Sequence, residues 1–249
     1  MIKPNTILIS LEQNFSHYLF LHVLDEYIET EESFLTRCLA AQPVHNSKSG
    51  KVELGEVVPY DADLVKRAVH IMRDPFDNIV SRFHHAHKIH RNDKFFQSNF
   101  PRDSAGFQAW CADMDSKYKG EERDLWGKEL YQASKKVPCH SEFFRYVQWH
   151  NMAFAVMKKL DIPTLFLAYE DYAHNLDFNL VSILDFLELP MRNKVSEFHQ
   201  GDYSAYYSDK QRVYAMKMMS IQASAVTWEK MKPYNYKVQK VEQGETVSS

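Results

Sequence analysis

Apolar positions change period twice along this chain, and the changes mark its elements. Asn5-Thr6-Ile7-Leu8-Ile9-Ser10 is a short β-branched run and predicts a first strand. Tyr18 to Tyr27 is rich in apolar residues at helical spacing. Ala68-Val69-His70-Ile71-Met72 is a second buried strand, punctuated by Asp74-Pro75. Immediately afterwards Phe76, Ile79, Val80 and Phe83 fall at i, i+3, i+4 and i+7, the buried stripe of an amphipathic helix. Thr164 to Ala168 predicts a third strand, followed by a helix face of Leu176, Leu180, Ile183, Leu184 and Leu187. Between them, Ser141 to Leu160 carries Phe144, Val147, Met152 and Val156, a packed helix. Further strands belong to Leu39–Val58. Strands alternating with helices predict an α/β fold with a mainly parallel central sheet flanked by helices on both faces.

The junction after Met72 carries the chemistry. Asp74 is placed as an N-cap and Pro75 at the first helical position, where a missing N–H costs nothing. Arg73 ends the strand, and Ser81 lies seven residues past the cap, almost two turns on, so it returns to the capped face. A guanidinium, a hydroxyl and the unpaired N–H groups of a helix start make a phosphate site.

Arg73 and, eight positions on, Ser81, across a strand-to-helix turn with Asp-Pro, resemble the 3′-phosphate-binding motif of the sulfotransferases, enzymes that use 3′-phosphoadenosine 5′-phosphosulfate (PAPS). Tyr169-Glu170-Asp171 after the third strand, with Phe186-Leu187 closing the next helix, resembles a second family element. Gly201-Asp202-Tyr203 and the helix opened by the capping box Ser208-Asp209-Lys210-Gln211 resemble a third. The resemblance implies a P-loop nucleotide-kinase-like fold and transfer of a sulfuryl group from PAPS to a hydroxyl or amine, leaving 3′-phosphoadenosine 5′-phosphate (PAP). It gives Arg73 and Ser81 the 3′-phosphate and Tyr169 the adenine. The phosphosulfate falls to the turn containing Gln13, Asn14, Ser16 and His17, and His45 becomes the base that takes the acceptor's proton.

Two departures stand out. Gln13 replaces the family's loop lysine and Phe15 its glycine, although glycine permits the close backbone approach a phosphate needs. No glycine precedes Gly50, so an ordinary NTPase loop is absent. Ser196-Glu197-Phe198 stands where cytosolic members carry Arg-Lys-Gly, with Arg192 and Lys194 the nearest cations. The alternative is therefore a non-catalytic nucleotide-binding relative with a decayed loop.

A formal net charge of −3 over 249 residues argues against a nucleic-acid surface, so an anionic cofactor must be held by local charge. The acceptor is a small molecule or carbohydrate, and its chemistry is not legible. Residues 1–236 read as a single domain and Lys237–Ser249 as a disordered polar tail. Cys38, Cys111 and Cys139 show no disulfide or metal pattern and fit a reducing compartment. That places the chain in the cytoplasm, or in the Golgi lumen were it a fragment lacking an anchor. His84, His85, His87 and His90 crowd one helix end. Metal spacing occurs there, but a solvated helix end favoured by its dipole is the simpler reading, and no metal is assigned.

Overall fold

The computed structural model describes residues 6–10, 43–45, 52–54, 65–189 and 201–235. The helix expected at Tyr18–Tyr27, the turn with Gln13, Asn14, Ser16 and His17, the segment with Arg192 and Lys194, and the tail from Lys237 lie outside them. Two compact units divide the chain. One comprises Met1–Arg73 with Met152–Gly201, the other Asp74–Asn151 with Asp202–Ser249.

The first unit holds a parallel three-stranded sheet in the order β1 (Thr6–Ser10), β4 (Val65–Met72), β5 (Thr164–Ala168). Its register runs Leu8↔Ala68 to Ser10↔His70 on one side of β4 and Ala68↔Thr164 to Met72↔Ala168 on the other. A separate antiparallel pair joins β2 (Pro43–His45) to β3 (Val52–Leu54), the expected extra strands of Leu39–Val58.

Central strand β4 is buried on both faces, which is why it reads as a continuous apolar run rather than an alternating one. Val69 and Ile71 join Leu167 in one cluster with Ile183 and Leu187 of the helix Asp171–Leu187 (called α7 below). On the opposite face the His70 ring stacks on Phe154 at 4.3 Å. That helix is longer than the apolar pattern suggested. It starts at Asp171 and breaks its helical geometry at Asn175, so the stripe from Leu176 onward marks only the straight part.

In the second unit the helices are α1 (Pro75–Ile89), α2 (Lys94–Asn99), α3 (Ser104–Lys117), α4 (Lys119–Leu125), α5 (Lys128–Ser134), the first part of α6 (His140–Lys159), α8 (Asp209–Gln222) and α9 (Ala225–Met231). The predicted stripe of α1 is fully buried: Phe76 meets Phe143 and Tyr207 edge-on, and Phe83 meets Phe107. Arg212 of α8 lays its guanidinium 4.6 Å from the centre of the Phe76 ring. Such a contact lets a cation be buried against an aromatic face. The capping box at Ser208 is present in both directions, Gln211 N–H donating to Ser208 Oγ and Ser208 N–H to Gln211 Oε1.

One expectation is overturned here. Cys111 and Cys139 form a disulfide, with Cα atoms 4.4 Å apart, both fully buried. The two cysteines are 28 residues apart, a spacing with no signature of its own, so only the packing of α3 against the start of α6 reveals the bond. The expectation that the cysteines carry no disulfide does not survive it.

Candidate functional site

Strand β4 delivers Arg73 as its first residue beyond the sheet. Tyr169 is delivered in the same way by β5, because Met72 pairs with Ala168 and the Tyr169 N–H donates to the Met72 carbonyl at 2.8 Å. Parallel pairing thus brings two sequence-predicted residues together. The Arg73 guanidinium lies over the Tyr169 ring, 4.4 Å from its centre, and Arg73 is almost wholly buried. A guanidinium stacked on an aromatic face is held in place while its N–H edge stays able to meet an anion.

The second unit begins at the next residue, and α1 opens as the sequence predicts, with Asp74 at the N-cap and Pro75 in the first turn. The structure changes one inference about this helix start. The Asp74 carboxylate already accepts from the N–H groups of Phe76 at 2.8 Å and Asp77 at 3.4 Å. Those N–H groups were expected to face a bound anion; they are taken by the cap instead. An anion here depends on side chains.

Ser81, the hydroxyl of the motif, lies on α1 in the second unit. It is 1 % exposed, and its Oγ has no hydrogen-bond partner among the described residues. A buried hydroxyl without a partner costs about 1–3 kcal/mol, a cost that a phosphate oxygen accepting from it would remove. Arg73 and Tyr169 belong to the first unit and Ser81 to the second. His45 is the last residue of β2, paired in register with Val52. Gln13, Asn14, Ser16 and His17 lie outside the described residues.

Two of the four histidines depart from the expected solvated helix end, while His90 is exposed and His85 half-buried. His84 shares a hydrogen bond with the Tyr206 hydroxyl at 3.0 Å, and His87 is buried, meeting Gln97 Oε1 at 2.9 Å. Burial, reinforced by Arg102, His87 and Lys88, lowers the His84 pKa to about 4, so the ring is neutral at ordinary pH. Among the described residues no three His, Cys, Asp or Glu side chains assemble as a metal-ion site.

Around the first turn of α6 sits a cluster that sequence reading missed. His140 lies between two carboxylates, 2.8 Å from Glu122 and 3.1 Å from Asp115. Asp115 also accepts from the Ser141 N–H and hydroxyl, yet burial still raises its pKa above the usual value. Glu142 is fully buried, 3.0 Å from Arg82 Nε and 3.7 Å from Arg145 Nη1. Its partners are 60 residues and three residues away, and the distant one carries no local signal in the sequence.

Residues 62–240, well over half of the chain, match a family model described as a sulfotransferase domain. No curated protein and no solved structure matches the chain. Among the described residues no helix is long and apolar enough to cross a membrane.

Proposed function

This chain belongs to the sulfotransferase family, whose fold is α/β and P-loop-like, and we propose that it transfers a sulfuryl group from PAPS to an acceptor hydroxyl or amine. The observation that carries the reading is the buried Ser81 hydroxyl, left without a partner at the position the family motif reserves for the nucleotide's 3′-phosphate. PAPS, when bound, supplies the sulfuryl group and leaves as PAP.

In this reading Arg73 and Ser81 hold the 3′-phosphate, the arginine by charge and the serine by donating its hydroxyl proton to a phosphate oxygen. Tyr169 holds the guanidinium over its ring and contacts the adenine. The turn of Gln13, Asn14, Ser16 and His17 meets the phosphosulfate. His45 takes the proton of the acceptor as the new S–O or S–N bond forms. The Cys111–Cys139 disulfide supports an oxidising compartment such as the secretory lumen rather than the cytoplasm. The acceptor is a small molecule or a carbohydrate.

Gln13 and Phe15 favour a second reading, a relative that binds the nucleotide without turnover. Sulfate transfer from radiolabelled PAPS to a panel of hydroxyl and amine acceptors separates the two. Labelled product lost on Arg73→Ala supports the enzyme. Nucleotide binding without any labelled product supports the second reading, and turnover that survives Arg73→Ala defeats the site assignment.

A further inference from the structure

We infer that Glu142 is a positioning residue for the 3′-phosphate, acting through Arg82 on the setting of Ser81; the inference rests on the cofactor reading above. The apolar stripe of α1 decides which face is buried, but hydrophobic burial is non-directional and leaves the helix some freedom to turn and slide. Ser81 can serve a phosphate only from one setting, because a hydroxyl must come within about 3 Å of its acceptor. The residue next to it supplies the missing fixed point. Arg82 reaches Glu142 at 3.0 Å, with the arginine side chain 15 % exposed and the glutamate 0 %.

Glu142 is itself anchored more firmly than a single helix would require. Three residues before it, Cys139 is bonded to Cys111 of α3. His140 bridges Asp115 and Glu122, and Ser141 gives two hydrogen bonds to Asp115. One turn along, Arg145 is 3.7 Å from the same carboxylate and donates to the Tyr118 hydroxyl at 2.7 Å. The carboxylate is therefore a post set in α3, α4 and α6, and the motif helix is tied to it one residue from its functional hydroxyl. Neither Glu142 oxygen has a hydrogen bond among the described residues, so the tie to Arg82 is charge held at short range inside the fold. Such a pair adds little net stability over apolar residues of similar size, which leaves orientation as its contribution.

The test is calorimetric titration of the full chain with PAP and with 5′-AMP, reading the ratio of the two affinities alongside Tm. Arg82→Leu combined with Glu142→Leu removes the pair without stranding a charge, and Glu142→Gln keeps the shape while removing the charge; the second is read whether or not the first folds. We expect the preference for PAP to fall about tenfold or more in both, with 5′-AMP affinity close to wild type and Tm close to wild type in the double variant but lower in Glu142→Gln, which leaves the Arg82 charge unpaired. A preserved preference in the variants overturns the inference, and so does an equal loss for both nucleotides, which marks a purely structural role. A wild-type protein with no preference for PAP sinks the cofactor reading instead.

Discussion

Arg73 and Tyr169 leave neighbouring parallel strands at the same level, and the guanidinium of one rests 4.4 Å from the ring centre of the other. The pair depends on strand register: a slip of one residue would turn either side chain to the opposite face of the sheet. It also separates two contributions of Tyr169, its ring and its hydroxyl. Tyr169→Phe keeps the ring and is expected to hold PAP affinity within about threefold. Tyr169→Leu removes the cation–π contact, worth about 1–2 kcal/mol when desolvated, and is expected to weaken PAP about tenfold. Titration of both variants checks this, and equal losses would show that the hydroxyl matters instead.

Ser81→Ala isolates the phosphate contact. Its Oγ has no partner among the described residues, so its removal should strand nothing there and Tm should stay within a few degrees of wild type. Affinity for PAP should drop about tenfold or more, while 5′-AMP binding is unchanged. A variant that binds PAP as well as wild type removes Ser81 from the site.

Replacing Cys111 and Cys139 together by serine opens a loop spanning 28 residues. Loop-closure entropy for that length predicts a loss of about 3–4 kcal/mol, and a Tm lower by about 10 °C for a chain of this size. Differential scanning calorimetry measures it. An unchanged Tm would mean that the packing of α3 against α6 carries the junction without the bond.

Acid should destabilise the protein well above the range where its carboxylates titrate. His150 is fully buried on α6, and burial lowers its pKa to about 3 from an ordinary value of 6.5. Between those values the unfolded chain binds a proton that the folded chain refuses, so stability falls as pH drops from about 6.5 toward 3. His84, at about 4, acts in the same sense over a narrower window. Urea midpoints recorded from pH 7.5 to 4.5 should decline for wild type and decline less for His150→Phe. Parallel lines for the two proteins would exclude His150 as the cause.

What the sequence showed was local. The period change at Asp74-Pro75, the strand Thr164–Ala168 and the capping box at Ser208 each lie within a few residues and depend on backbone preferences that short segments express alone. What it hid was pairing at a distance. Arg82 with Glu142, Cys111 with Cys139 and His84 with Tyr206 join residues whose spacings follow no helical or strand period. Asp74 shows the limit within a motif. Its identity announced a cap, but the consequence, that the cap consumes the N–H groups a phosphate would use, needed the geometry.

The bond between Cys111 and Cys139 closes a covalent ring around α4 and α5. Exposed Arg123, Lys128, Lys135 and Lys136 all sit on that ring, where trypsin could cut. A molecule nicked there would still travel as one intact chain on a non-reducing gel and fall into two pieces only once thiol is added. Damage to this protein could therefore accumulate unseen in any preparation judged by size alone.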